Sequence, residues 1–293
     1  FSMHTHLVGT LAHLWRSGNK APEPMLRRVA AEKLILISSG GSDWLPGSGK
    51  LEKVDGGFRF TARKIFSSGV PAGDILMTTG VYNDPQDGPT VYHFPLPLKS
   101  DGVKILDTWR TIGMRGTGSH VVEIKDVFLP DAVMQGVRRP AGKWHPFMHT
   151  VVLAAFPIFY GAYLGVAEAA REIALSIAAR KREDPLVPLL LGEMENQIVS
   201  AQIAHASMVA LTATQKPGAE ATNAMACRRT IFVNAVTRAV EKAMEVGGGA
   251  SFYRSTGLER CFRDIQGARY HPIQEKAQTR FTGRLLLGLD PDG

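Results

Sequence analysis

The 293-residue chain predicts an α+β fold in three parts: a pair of short helices, a central antiparallel β domain, and a C-terminal four-helix bundle. Three observations lead there. Between about 37 and 135, short β runs alternate with Gly and Pro. From about 145 onward the chain is Ala-rich, with apolar residues at helical spacing. The content is 44% hydrophobic and 21% charged, as in a globular protein with a full core, and it excludes a disordered, collagenous or disulfide-stapled chain.

Residues 1–36 read as helix, turn, helix, broken at "SGNKAPEP", with Pro24 suited to a helix start. The β domain is expected over 37–140. "GFRFTARKIF" sets Phe58, Phe60 and Ala62 against Arg59, Thr61 and Arg63, the alternation of a half-buried strand. "DILMTTGVY", "TVYHFPLPL", "VKILDTW" and "HVVEIKDVFLP" follow, divided by turns such as "NDPQDGP", and together suggest a sandwich or barrel. Helices are expected over 141–293. In 162–182, Val166, Ala170, Ile173 and Ile177 recur at helical spacing. Further helices are expected over 188–214 and over 220–246, with a stop at "GGG", and a final segment over 258–288 completes the bundle.

The uncharged run 150–167 borders on the length of a membrane span. It holds Pro157, Gly161, Gly165 and two tyrosines, and reads as a helix buried on all sides of a soluble, cytoplasmic protein. No signal peptide is visible, and because the chain starts at Phe1, a preceding N-terminal piece is expected. Cys227 and Cys261 are too few for a disulfide framework or a four-ligand zinc site, and fit two thiols in a reducing compartment. The net charge of +7 is spread along the chain, which suits a solvated surface and not a nucleic-acid footprint.

Several motifs fail on inspection. "GSGK" (47–50) lacks the first glycine and the Ser/Thr of a phosphate loop and reads as a turn, and no Gly-x-Gly-x-x-Gly follows a strand. His4 with His6, and His145 with His149, have metal-compatible spacing but no neighbouring carboxylate, so no metal is expected. Three Ser/Gly-rich loops remain: "ISSGGSD" (37–43), "KIFSSG" (64–69) and "GMRGTGSH" (113–120). Such loops present N–H groups and hydroxyls to a planar polar ligand or a phosphate, or are simply tight turns. His271, seven residues beyond Asp264, is either a functional group, or an N-cap or surface histidine before Pro272 starts the last helix.

With these motifs on view, the chain resembles the acyl-CoA dehydrogenase superfamily of flavoproteins over nearly all its length. "SSGGSD" is similar to the family's first flavin loop. "DTWRTIGMRGTGSHVVEIKDVFLP" is similar to the strand pair closing its β domain. "EVGGGASFYRSTGLERCFRD" is similar to its C-terminal signature through Gly248, Gly249, Arg260 and Asp264. The resemblance implies FAD, with FMN as the alternative, in a homotetramer or homodimer. It implies Ile37, Ser38 and Ser42 along the isoalloxazine ring, Phe66 beside it, and Ser67 or Ser68 bonded to flavin N5. It also implies Gly248 and Gly249 near the adenine-diphosphate part, approaching from a neighbouring subunit, and Lys181 or Arg180 on the pyrophosphate.

Two departures bear on the reaction. Dehydrogenation of an acyl-CoA needs a carboxylate base, and the family's two places for it hold Pro272 and His149. "FSSG" and an Arg-Asp followed by His are similar to the flavin-dependent monooxygenases of the 4-hydroxyphenylacetate hydroxylase and dibenzothiophene monooxygenase type. There a separate reductase supplies reduced flavin, a C4a-hydroperoxide forms, and a histidine and a serine steer its proton. The resemblance therefore implies oxygenation of a small apolar or aromatic substrate, with His271 and Ser68 catalytic and His149 in the substrate pocket. The alternatives are an acyl-CoA dehydrogenase with a displaced base (Glu168, Glu193 or Glu195) and a non-catalytic family member.

Overall fold

The computed structural model describes residues 1–39 and 41–292, with the side chain of Ser42 outside the description. The chain divides into two compact units, one of residues 1–110, 116–151 and 292, the other of residues 111–115 and 152–291.

The first unit opens with α1 (Ser2–Arg16) and α2 (Glu23–Glu32). Its strands are β1 (Leu36–Ser38), β2 (Lys50–Val54), β3 (Gly57–Lys64), β4 (Ile75–Asp84), β5 (Gly88–Pro97), β6 (Val103–Leu106), β7 (Val121–Pro130) and β8 (Arg138–Pro140). They form one sheet in the order β6-β7-β3-β2-β4-β5-β8, with β1 added on β4. The sheet is mixed and not purely antiparallel, because β1 and β2 both run parallel to β4. The intervening β2–β3 hairpin supplies the crossover that lets β1 and β4 point the same way. Strand β2 escaped the pattern because Leu51 is its one buried residue in "KLEKV".

In β3 the alternation holds: Phe58 and Phe60 are buried, and Arg59, Thr61 and Arg63 are exposed. They join Leu76, Phe94, Val122 and Ile124 in the core, where Phe60 meets Phe94 edge-on at 5.1 Å. The same period carries Lys64 to the inner side at the strand's end, where it is fully buried. Its ammonium donates to Asp43 Oδ2 at 2.5 Å and to the carbonyl and Oγ of Ser48 at 2.8 Å. Burial pulls the ammonium below its usual range and the Asp43 carboxylate pulls it back. This pair ties the "ISSGGSD" loop to the start of "KIFSSG".

The long helix α3 (Pro146–Ala178) starts in the first unit and continues in the second, which also holds α4 (Leu186–Thr214), α5 (Ala219–Gly247), α6 (Leu258–Ile265) and α7 (Glu275–Leu286). Length and composition would let α3 cross a membrane, but half of its most apolar window is buried within the fold, which fits a soluble protein. Pro157 lies inside α3 and has no N–H for the carbonyl of Leu153. The Thr212 hydroxyl of α4 donates to that carbonyl at 2.8 Å. Along α5, Thr222, Met225, Ala226, Arg229, Phe232, Val233, Val236 and Val240 form the buried stripe.

The final segment over 258–288, counted as the fourth member of the bundle, holds two helices. A 3₁₀ turn (Gln266–Arg269) follows α6, and α7 begins at Glu275. Pro272 has no N–H to continue a helix and disfavours helical geometry at His271. His271 therefore sits in the break and is no N-cap.

Asp43→Ala would leave the Lys64 ammonium buried without its carboxylate, and should lower the first unit's stability by about 3–5 kcal/mol in denaturant unfolding. Asp43→Ala with Lys64→Met should recover much of that loss, because neither charge is then left inside.

Candidate active site

In the first unit the loops "FSSG" and "GTGSH" are zipped together. The Ser67 N–H donates to the His120 carbonyl at 3.3 Å and the Gly69 N–H to the Thr117 carbonyl at 2.7 Å. The hydroxyls of Ser68, Ser119 and Thr117 form a chain, 2.8 Å and 2.7 Å between successive oxygens. Phe66 is in the left-handed region at φ 57° and stands half exposed, edge-on to Trp109 at 6.0 Å. His120 Nδ1 accepts the N–H groups of Thr108 and Trp109, which holds the Trp109 segment and leaves the ring proton on Nε2. Ser67 Oγ is buried with no hydrogen-bond partner among the described residues.

The other residues expected in this unit are spread around it. Ile37 is buried in the sheet core, so that its side chain serves packing, and the neighbouring Ser38 is half-buried. The side chain of Ser42 lies outside the described residues. His149, in the first turn of α3, is buried with its ring stacked on Trp144 at 5.0 Å and 3°. Burial holds its imidazole below the usual histidine range, while Asp292 acts in the opposite direction. His4 Nδ1 accepts the Leu36 N–H, His145 Nδ1 accepts the Phe147 N–H, and no metal-ligand cluster occurs among the described residues.

In the second unit His271 is half-buried, stacked on Phe159 at 5.6 Å, with Nδ1 2.9 Å from the Tyr163 hydroxyl. The other ring nitrogen has no hydrogen-bond partner among the described residues. With Tyr163 donating, Nε2 keeps the ring proton and is free to donate. Burial first, and then the charge of Arg229, pushes the imidazole down to about 4, so the ring is neutral near pH 7. Burial likewise raises the Tyr163 hydroxyl above its ordinary range, so that it stays protonated.

The Arg-Asp pair has a structural task. Asp264 accepts the Met114 N–H at 2.6 Å, and Arg263 pairs with Glu259 and donates to the Ile112 carbonyl. The segment lies so close that a Cβ on Gly113 would stand 2.1 Å from the Arg263 carbonyl, which only glycine avoids. At the end of α5, Gly248 takes φ 59° and ψ −144°, and Lys181 Nζ bonds the Gly247 carbonyl at 3.3 Å. A Cβ on Gly248 would meet that ammonium at 3.8 Å, while one on Gly249 would meet open space. Arg180 lines a nearby cleft with Ser176, Ser255 and Thr256.

The substitute carboxylates are otherwise engaged. Glu168 accepts from Gln202, Glu193 pairs with Lys242, and Glu195 pairs with Arg171. Tyr163 and Arg229 were not foreseen. Arg229 had a signal, since a charged residue falls on the apolar stripe of its helix; Tyr163 lies four residues beyond Phe159, and both face the same histidine.

Residues 158–275 match the family model "Acyl-CoA dehydrogenase, C-terminal domain". YdbM of Bacillus subtilis, an acyl-CoA dehydrogenase by name, is 28% identical over 249 residues, covering 79% of this chain and 61% of its own. Dibenzothiophene monooxygenase of Mycolicibacterium goodii is 26% identical over 250 residues, covering 76% of this chain and 60% of its own. The chain thus spans about three fifths of the length of these relatives. Among solved structures, KijD3 in complex with FMN and a dTDP-linked keto sugar superposes with a TM-score of 0.86 at 22% identity, covering 100% of this chain and 76% of its own.

In the folded state His271 stays unprotonated down to about pH 4, whereas in the unfolded chain it takes up a proton near 6.5. Its stabilisation is therefore complete above about pH 6.5 and is lost as pH falls toward 4. The midpoint of thermal unfolding, followed against pH, should lose up to one proton of slope in that window in His271→Gln. Residues 158–275 thus match the C-terminal domain of the acyl-CoA dehydrogenases, the chain is similar to YdbM and to dibenzothiophene monooxygenase over about three quarters of its length, and its fold is that of KijD3.

Proposed function

We propose that the chain is the oxygenase part of a flavin-dependent monooxygenase acting on a small apolar or aromatic substrate. The observation that carries this reading is the state of His271: neutral, fixed through Nδ1 by Tyr163, and open at the other nitrogen. It stands next to Pro272, where the dehydrogenase pattern would keep its glutamate, and proline has no proton to exchange. Relatives named as monooxygenases support the same reaction class.

The residues fit a flavin. Ser67 carries a buried hydroxyl that lacks a partner among the described residues, and Ser68 carries one at the end of a hydroxyl chain. Phe66 and Trp109 offer apolar ring faces and edges, and Lys181 beside Gly248 suits a diphosphate. FAD is the group favoured, with FMN as the alternative. Reduced by a separate reductase, the flavin would supply the electrons that activate dioxygen. Ser68, oriented by Ser119 and Thr117, would offer the ring a hydrogen bond, and His271 would hold a proton at Nε2 for delivery. His149 on Trp144 contributes an apolar, aromatic wall for the substrate. An assembly of two or four chains in the cytoplasm completes the reading.

The dehydrogenase reading has the likeness to YdbM in its favour. Against it stand a histidine and a proline at the family's base positions, and three substitute glutamates held by other side chains.

Stopped-flow mixing of the protein with reduced FAD and then oxygen should show a near-ultraviolet transient that outlasts the oxidation of free flavin. His271→Ala should shorten it by roughly tenfold or more. Immediate oxidation, together with anaerobic bleaching of oxidised flavin by an acyl-CoA, would decide for the dehydrogenase.

A further inference from the structure

We propose that Arg229 is the positioning residue for His271: its buried guanidinium grips the carbonyls of the segment that carries the imidazole. The proposal rests on the reading of His271 as the proton-handling group.

Arg229 lies on the inner stripe of α5 and is 1% exposed. It forms no ion pair among the described residues, although an isolated charge is costly to bury. Its N–H groups go to oxygens of one short stretch and its support. Nε donates to the Tyr160 hydroxyl at 2.8 Å. Nη2 lies 3.0, 3.2 and 2.9 Å from the carbonyls of Ala268, Arg269 and His271. The Tyr160 hydroxyl passes the chain on by donating to the Pro272 carbonyl at 3.2 Å.

These are the carbonyls that the 3₁₀ turn and the break before α7 leave without helical partners. A cation at the end of a helical turn is the natural group to meet them. Lysine would bring the charge but not the planar fork that reaches a hydroxyl on one side and several carbonyls on the other. The backbone at His271 is thereby fixed from α5, while the imidazole is fixed from α3 by Phe159 and Tyr163.

The ionisable groups facing this histidine are Tyr160 and Tyr163 from α3, Arg229 from α5, and Asp264 from α6, whose charge reaches Tyr163. Both tyrosines are raised by burial and stay neutral, so Arg229 is the charge that opposes protonation of the ring. One side chain thus fixes where the imidazole stands and, after burial, adds to what keeps it uncharged.

The test uses Arg229→Met and Arg229→Lys in the whole chain. The His271 ring is titrated by NMR in histidine-labelled, flavin-free protein, its peak assigned with His271→Gln, and the flavin transient is timed separately. Arg229→Met should raise the His271 midpoint by about one pH unit or more and shorten the transient roughly tenfold or more. Arg229→Lys should keep the midpoint low, because the charge remains, yet fail to restore the lifetime. A folded Arg229→Met with an unshifted midpoint and a lifetime within about twofold of the parent would overturn the proposal. So would an Arg229→Lys protein with the parent's lifetime, a result available even if the methionine variant does not fold. The titration needs no flavin, so failure of the monooxygenase reading would show in the transient of His271→Ala and leave the midpoint shift to be read on its own.

Discussion

A cation taken out of water must find oxygen atoms for its N–H groups, or the fold loses several kcal/mol. Each unit is organised around that constraint. In the sheet, Lys64 draws Asp43 and Ser48 inward, so two loops distant in sequence are fastened at one strand end. Arg139 does the same between β8 and the residues after the first loop, donating to the carbonyls of Trp44 and Leu45 and to His93 Nε2. Burial lowers His93 to about 3, which leaves it a neutral acceptor for that guanidinium. Among the helices Arg229 plays the corresponding part, with backbone oxygens where Lys64 has a carboxylate.

The broken fourth helix follows from the same accounting of polar groups. A continuous helix through residues 266–286 would use its own carbonyls and leave Arg229 without acceptors. Pro272 prevents that continuation, and the freed carbonyls of Ala268, Arg269 and His271 meet the guanidinium instead. The break also turns His271 out of helical register and against Phe159 and Tyr163. Earlier in α3, Pro157 frees the Leu153 carbonyl, and the Thr212 hydroxyl of α4 donates to it. In both places a proline creates an acceptor that another helix must supply a donor for.

Much of the candidate site was marked out by residue types. The Ser/Gly loops, the glycine stop after α5 and the unusual His-Pro pair were each visible as local departures from ordinary strand and helix patterns. The hydroxyl chain from Ser68 through Ser119 to Thr117 was not, because Ser68 lies 51 residues from Ser119 and meets it only when two loops zip together. Ile37 shows the converse: a residue beside a promising loop whose side chain is taken up by the sheet core.

The sequence by itself determined the order of elements, since period-2 and helical spacing are local properties that burial of one face imposes on any chain. It also puts Pro272 and His149 at the two positions where the resemblance to acyl-CoA dehydrogenases would imply a glutamate. Tertiary structure alone decided that the sheet is mixed, that the last helix is split, and that His271 is neutral. Strand direction depends on which distant strand a segment pairs with. The protonation state of an imidazole depends on how much water and charge the fold leaves around it, and here that surrounding comes from α3 and α5, more than forty residues away in the chain.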